Sequence, residues 1–293
     1  MPTPTASGTA HPDLHTQLYW ESAGDGPPVL LVMGLGLSGG AWWRTVETLS
    51  HRFRVITFDN RGVGRSRGLT PAYTTEALAD DAVAVLDALE IAEANVYGFS
   101  LGGMVAQQIA LRHPRRVRSL VLGATSPGGR QAQVAEDDVL AFFGGRGQLP
   151  REEAAWASVP YNYGQRCRDH HADRIADDIR RRLAYNFDEA AYQAQLIAAA
   201  LHNTASRLRR VTVPALVLHG EQDRVMPVAN AELIAERLPH AQLHLLPATG
   251  HLYTTEAPEA DAAVASFLAS VTRHAPPARN SSTASSAAGS SVV

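Results

Sequence analysis

The chain has 293 residues, of which 45% are apolar and 19% are charged, and its formal net charge is −3. This composition is typical of a globular protein with a large core, and it lacks the basic surplus that indicates nucleic-acid binding. No apolar stretch approaches the length of a membrane span, and the N-terminus has neither the charged start nor the apolar core of a signal peptide. We therefore expect a cytoplasmic protein that binds neither nucleic acid nor membranes.

Two residue counts exclude further kinds of chemistry. A single cysteine, Cys167, excludes an internal disulfide and a thiolate metal cluster. All 26 basic residues are arginine, so mechanisms that need a lysine base or a Schiff base are not available. We expect neither a metal nor an organic cofactor.

Strands and helices alternate over both ends of the chain. Apolar or β-favouring runs indicate strands, and apolar residues at helical spacing indicate helices. After a tail, residues 1–12, that we expect to be disordered, the predicted elements in chain order are strands Thr16–Glu21, Val29–Met33 and Arg54–Phe58, helix Thr75–Leu89, strand Asn95–Tyr97, helix Met104–Leu111, strands Ser119–Leu122 and Ala215–Leu218, helix Ala229–Leu238, strand Gln242–Leu246 and helix Glu256–Val271. This order predicts an α/β fold with a mostly parallel central sheet and helices on both faces.

The alternation stops between Ser126 and Arg210, where no strand is indicated. Four helical stretches occupy this part of the chain, near Glu136–Phe143, Arg151–Ala157, Ala172–Ala184 and Glu189–Leu201. We interpret residues 126–210 as a helical insertion into one core formed by residues 13–125 and 211–274. The remaining tail, residues 275–293, is rich in Ser, Ala and Pro, and we expect it to be disordered.

The pattern Gly-x-Ser-x-Gly, typical of a serine nucleophile, occurs at Ser38, Ser66 and Ser100. Such a nucleophile needs a strand before the serine, a sharp turn at it and a helix after it. Only Ser100 has all three, because Leu69–Pro71 reads as a loop after Ser66, and Ser38 lies several residues beyond its strand. We predict Ser100 as the nucleophile.

A serine hydroxyl needs a base within hydrogen-bond reach, and that base needs a third group to orient it. In open parallel sheets these groups gather at the carboxyl ends of the strands. His251 follows the strand that ends at Leu246, and Asp223 follows the strand that ends at Leu218. We predict Ser100, Asp223 and His251 as the catalytic residues, with Glu221 in the same loop as the alternative to Asp223.

Five segments in this order resemble the α/β-hydrolase superfamily, and in particular its small capped esterases, lactonases and methyl esterases. They are Leu31–Leu35, Asp59–Ser66, Gly98–Gly103, His219–Asp223 and Gly250–His251. The resemblance covers about Leu18 to Ser270. It implies the α/β-hydrolase fold, with the insertion as a helical cap.

The resemblance also implies an oxyanion hole, formed by the backbone N–H groups of Leu35 and Leu101. The family often has His where this chain has Met33, which affects the loop that carries Leu35. Asp59–Ser66 is expected to be a structural turn in which Asp59 and Arg61 pair with the backbone and with each other.

Apolar and aromatic residues of the insertion and of the loop after Gly34 are candidates for the substrate pocket, since such residues favour a largely apolar substrate. The candidate wall residues are Leu37, Trp42, Phe99, Phe142, Trp156 and Tyr161. The arginines at 180–182 are interpreted as a solvated helix face.

We therefore expect a cofactor-independent serine hydrolase that cleaves a small-molecule ester, lactone or thioester. The same residues would also suit an enzyme that transfers or cyclises the acyl group of a natural product. A ligand-binding receptor on the same fold is the alternative from a different class. The sequence leaves the oligomeric state open.

Overall fold

The structure is a computed structural model that describes residues 3–68 and 73–274. Its strands are β1 (Ala6–Asp13), β2 (Thr16–Ala23), β3 (Pro28–Val32), β4 (Arg54–Phe58), β5 (Arg67–Gly68), β6 (Ala94–Phe99), β7 (Val117–Gly123), β8 (Ala215–Gly220) and β9 (Ala241–Leu246). Its α-helices are α1 (Trp43–Leu49), α2 (Thr75–Ala88), α3 (Leu101–Arg112), α4 (Asp137–Gly145), α5 (Arg151–Ala157), α6 (Val159–Asn162), α7 (Gln165–His170), α8 (Ala172–Leu183), α9 (Glu189–Leu201), α10 (Ala229–Arg237), α11 (Tyr253–Glu256) and α12 (Pro258–His274). Helix α3 ends before Pro114, which cannot continue it.

One mixed sheet organises the molecule, with strand order β1-β2-β4-β3-β6-β7-β8-β9 and β5 paired to β2. Six strands, β4, β3, β6, β7, β8 and β9, run parallel to one another. The pairs of β2 with β1, β4 and β5 are antiparallel. The predicted α/β class with a mostly parallel sheet is thus confirmed.

The N-terminal edge of the sheet corrects one expectation. Residues 1–12 are predicted to be disordered, but from Ala6 onward they form β1, in which Ala6 lies opposite Ser22 and Ala10 opposite Leu18. The polar composition hid this strand because an edge strand is stabilised by backbone hydrogen bonds and buries few of its side chains; Ala10 is the one fully covered here. The segment Leu69–Pro71 and the tail 275–293 lie outside the described residues.

Both faces of the parallel strands are buried, as expected for a sheet with helices on either side. In β3, Leu30 and Val32 join a core with residues of α2, α3 and α10, whereas Val29 and Leu31 join a second core with residues of α12. The sheet is therefore a fixed layer whose carboxyl ends can hold loops in defined positions.

Helices α4 to α9 form the helical insertion between β7 and β8. Backbone and side-chain hydrogen bonds join it to the loops of the core: Gln195 Oε1 accepts from the Gly36 N–H at 3.0 Å, and the Asn162 carbonyl accepts from the Leu252 N–H at 2.9 Å. The four predicted helices are present, and the short helices α6 and α7 were not predicted. The exact limits 126 and 210 stay a prediction.

Two buried carboxylates organise the Asp59–Ser66 segment in a way that differs from the expectation. Asp59 accepts from the Gly39 N–H at 2.7 Å and from Arg65, not from Arg61. Arg61 instead pairs with Asp81 of α2, with Nε at 2.6 Å from Oδ2. The Arg61–Asp81 pair joins the segment to α2, and the Asp59–Arg65 pair lies within the segment itself.

The buried Arg61–Asp81 pair leads to a stability prediction. Arg61→Met leaves the Asp81 carboxylate without its charged partner, and we expect a loss of about 3–5 kcal/mol in the free energy of unfolding, measured by urea denaturation. The control is Arg112→Met, which breaks a half-exposed pair with Asp80 and is expected to cost less than about 1 kcal/mol. Equal losses in the two variants would contradict the prediction.

Candidate active site

Ser100 lies at a strained turn between the end of β6 and the start of α3. Its backbone has φ 55° and ψ −120°, a conformation that costs a residue other than glycine about 1–3 kcal/mol. Two glycines permit the close backbone approach around it. A Cβ on Gly98 would lie 2.1 Å from the Gly102 carbonyl oxygen, and one on Gly102 would lie 1.9 Å from that of Val32. The glycines of this pentapeptide are therefore required by geometry.

The structure brings the three predicted catalytic side chains together. His251 Nε2 lies 3.0 Å from Ser100 Oγ, and His251 Nδ1 lies 2.7 Å from Asp223 Oδ2. All three residues are buried. The alternative acid, Glu221, is exposed and does not enter this chain of hydrogen bonds. This arrangement can move a proton from the serine hydroxyl to an imidazole that a carboxylate orients.

Asp223 is held as a carboxylate by several donors. Burial by itself raises the pKa of Asp223, but the charge of His251 and hydrogen bonds from His219 and His251 outweigh it and lower that pKa to about 2. In addition, the N–H groups of Val225 and Met226 each donate to Oδ1 at 2.8 Å. The acid is thus ionised and fixed in orientation at neutral pH.

His219, at the end of β8, contacts this acid and was not predicted as a site residue. Its Nε2 lies 2.7 Å from the Met226 carbonyl oxygen and 3.2 Å from Asp223 Oδ2. The sequence analysis included it only in the segment His219–Asp223 that carries the family resemblance, with no role of its own. Its position four residues before the predicted acid, at a strand's carboxyl end, was the available signal.

The two N–H groups expected to form the oxyanion hole belong to residues that line the cavity with Ser100. Leu101 begins α3, and Leu35 lies in the loop after β3; both line the same cavity as Ser100. Among the described residues, neither backbone N–H has a hydrogen-bond acceptor. The Asn60 side chain donates to the Met33 carbonyl at 3.1 Å, which fixes the start of the Leu35 loop despite the absence of the usual His.

Ser100 and His251 open into a cavity of about 320 Å³ between the sheet and the insertion. Its walls are mainly apolar, and no Asp or Glu is found among the described residues that line it. The core contributes Gly34, Leu35, Leu37, Phe99, Ser100, Leu101, Val225, Met226, His251 and Leu252, and the insertion contributes Ala135, Val139, Leu140, Phe143, Gly144, Arg146, Asn162, Arg182, Leu196, Ala199 and Ala200.

Only two of the six predicted wall residues, Leu37 and Phe99, line this cavity. Trp42 is fully buried in the core against Tyr97, with ring centroids 4.7 Å apart. Phe142 and Tyr161 stack on each other outside the lining, and Trp156 is 46% exposed at the surface. The expectation was wrong for these four because an aromatic residue type does not indicate which neighbour covers it.

The serines of the other two pentapeptides do not line the cavity. Ser66 Oγ donates to the Asp59 carbonyl at 2.6 Å and accepts from the Tyr19 N–H at 2.8 Å, so it closes a turn. Ser38 is buried and precedes a short 3₁₀ helix at Gly39–Trp42. Neither serine lines the cavity that contains Ser100.

Comparison with known proteins assigns the family. The profile of the alpha/beta hydrolase fold matches residues 27–258. The chain belongs to the α/β-hydrolase fold family. A relative from Caulobacter sp. (strain K31), described as the carbamate hydrolase RutD, is 32% identical over 89% of this hydrolase and 97% of its own length.

Solved structures agree with this assignment. A hydrolase from Pseudomonas aeruginosa PA01 superposes with a TM-score of 0.79 at 27% identity, covering 91% of this chain and 99% of the other. A thermophilic esterase from Thermogutta terrifontis superposes with a TM-score of 0.77 at 27% identity and the same coverage of both chains. This hydrolase thus shares its fold over 91% of its length with each of these two proteins.

Two features, a membrane-spanning helix and a cluster of metal-binding side chains, are absent from the described part of the hydrolase. Between residues 3 and 68 and between 73 and 274, no helix is long and apolar enough to cross a membrane. In the same ranges, no group of three His, Cys, Asp or Glu side chains could hold a metal ion.

Glu256 connects the insertion to the loop of His251. Its Oε1 accepts from the Gly250 N–H at 3.0 Å and its Oε2 from the Gly164 N–H at 2.9 Å. Burial raises the pKa of Glu256 from its ordinary 4.5 to about 7. Burial likewise raises the pKa of Asp261, which accepts from Thr45, to about 6.

These raised pKa values predict how stability depends on pH. A carboxyl that binds its proton more tightly in the folded state stabilises the protein below its unfolded pKa, and that stabilisation is lost as the pH rises through its folded pKa. We expect the free energy of unfolding of the hydrolase to fall between about pH 4.5 and pH 7 through Glu256. Urea denaturation across this pH range should show that the free energy of unfolding falls less steeply with pH in Glu256→Gln than in the wild type. The exposed Glu221→Gln is the control, and an unchanged slope in Glu256→Gln would contradict the assignment.

Proposed function

We propose that this α/β hydrolase is a cofactor-independent serine hydrolase that cleaves a carboxylic ester, lactone or thioester of a largely apolar small molecule. The observation that carries the proposal is the hydrogen-bond chain from Asp223 through His251 to Ser100, which opens into an apolar cavity. A structural protein would have no need of a strained serine with an imidazole at its hydroxyl, and a receptor on this fold would bind its ligand with negligible turnover.

Acylation uses the three side chains in sequence. Ser100 Oγ attacks the substrate carbonyl carbon while His251 Nε2 takes the serine proton, a transfer that their separation of 3.0 Å allows. The Asp223 carboxylate orients the ring through Nδ1 and stabilises the imidazolium that forms. The tetrahedral intermediate then collapses, and the leaving alcohol or thiol takes the proton from His251.

The negative oxygen of that intermediate would accept hydrogen bonds from the N–H groups of Leu35 and Leu101. Losing one such donor costs about 3 kcal/mol of transition-state stabilisation in comparable sites. Leu101 is also the first residue of α3, whose N-terminus adds a positive potential at the same place. Water, activated by His251, then attacks the acyl-enzyme and regenerates Ser100.

Carbamate hydrolysis is a second candidate reaction. It is supported by the 32% identity to a relative described as a carbamate hydrolase, over 97% of that relative's length. A carbamate carbonyl can be attacked by the same serine, and its oxyanion would use the same two N–H groups. A substrate panel should therefore contain matched esters, lactones, thioesters and carbamates.

Covalent labelling tests the nucleophile. We expect a fluorophosphonate probe to label the wild-type protein at one site and not to label Ser100→Ala, with the adduct located by peptide mass spectrometry. Ser38→Ala and Ser66→Ala are matched controls from the other pentapeptides and should retain labelling at Ser100. A label that persists on Ser100→Ala would refute the assignment.

Substitution of the acid tests the triad. Asp223→Asn keeps the shape of the side chain but removes the charge that stabilises the imidazolium, and we expect kcat on a short p-nitrophenyl ester to fall about 10⁴-fold. Glu221→Gln, in the same loop but exposed, should leave kcat unchanged. If instead Glu221→Gln lowered kcat about 10⁴-fold and Asp223→Asn left kcat unchanged, Glu221 would be the acid.

A further inference from the structure

Arg182 is a charged residue in the wall of a mainly apolar cavity. It lies near the end of α8, its side chain is only 8% exposed, and it lines the same cavity as Ser100 and His251. The sequence interpretation of residues 180–182 as a solvated face is thus wrong for this arginine. Arg180, two residues earlier, has a side chain that is 72% exposed and fits that interpretation.

The guanidinium of Arg182 is held by the buried carboxylate of Asp178. Its Nη1 lies 3.3 Å from Asp178 Oδ2, and the Tyr163 hydroxyl donates to that same oxygen. Asp178 is buried and does not line the cavity. Arg182 Nε is buried and has no hydrogen-bond partner in the described part of the chain. A planar guanidinium, held by a buried carboxylate, is therefore fixed in the wall of the cavity.

The charges that line the cavity have one sign. Arg146 is the second arginine of the wall, and it lies over the ring of Tyr192, 5.0 Å from the centroid. Among the described lining residues there is no carboxylate to oppose these two cations. A low-dielectric cavity whose only charged lining groups, among the described residues, are two arginines favours an anionic group. The planar guanidinium also matches the geometry of a carboxylate.

We propose that Arg182 forms a carboxylate subsite, so that the substrates are esters, lactones or thioesters whose acyl part carries a free carboxylate. This inference rests on the proposed function, because it assumes that the acyl group is transferred to Ser100. The apolar walls between the two groups suit a methylene chain or a ring, so the class is the monoesters of dicarboxylic acids. The subsite adds a specific polar anchor to a pocket that was expected to favour a largely apolar substrate.

Matched substrates test the subsite directly. The probes are p-nitrophenyl monoesters of dicarboxylic acids from succinate to suberate, each beside its neutral methyl-capped counterpart. For at least one chain length, we expect the wild-type kcat/KM to be at least tenfold higher for the anionic ester. This ratio should fall at least tenfold in Arg182→Gln and stay unchanged in Arg180→Gln, which removes the same charge from the exposed side of the helix.

A second variant separates recognition from folding. Arg182→Lys keeps the charge without the planar fork, and we expect a ratio between those of the wild type and Arg182→Gln, with thermal unfolding recorded for every variant. A wild type that fluorophosphonate labels and that hydrolyses the neutral esters, but that prefers no anionic ester, overturns the subsite and leaves the proposed function intact. A wild type that is neither labelled nor active on any ester overturns the proposed function and the subsite together.

Discussion

The close packing of backbone around Ser100 is the constraint on which the rest of the site depends. The turn holds a serine in a conformation that L-residues seldom adopt, and it is stable only because Gly98 and Gly102 leave room for neighbouring carbonyl groups. The same turn starts α3 at Leu101, so one piece of geometry presents the hydroxyl, a free N–H and a helix N-terminus to one cavity. The parallel strands on either side supply the rigidity that this strain requires.

The core and the insertion contribute different kinds of polar group. In the core, Asp223 is buried with enough donors to remain a carboxylate, and the imidazole of His251 is oriented as a consequence. In the insertion, Arg182 lines the same cavity as Ser100, whereas the carboxylate that pairs with it, Asp178, does not line that cavity. In our proposals the core provides the reaction and the insertion provides the selection of substrate, with Glu256 joining the two through Gly164 and Gly250.

Much of the fold and of the catalytic site could be predicted from the sequence, because the patterns that indicate them are local. Runs of apolar residues identified the parallel strands, and chain order placed Asp223 and His251 after strands whose carboxyl ends meet at one edge. Edge strand β1 was missed since its stability comes from backbone pairing with β2, which leaves little trace in the pattern of side chains. The interpretation of residues 180–182 as a solvated face failed for a different reason. Arg182 continues the helical spacing of the buried residues Ile175 and Ile179. Periodicity indicates that such a face is covered, but it does not indicate which element covers it.

The sequence by itself determined the α/β class, the position of the insertion and the candidate residues Ser100, Asp223 and His251, because spacing and chain order are properties of the chain alone. Only the tertiary structure decided which side chains line the cavity. Trp42 and Trp156 are both tryptophans that were predicted to line the pocket, yet Trp42 lies in the core and Trp156 lies at the surface. Packing between the insertion and the sheet also placed Arg182 inside and Arg180 outside, since a helix face acquires its environment only from the element that covers it.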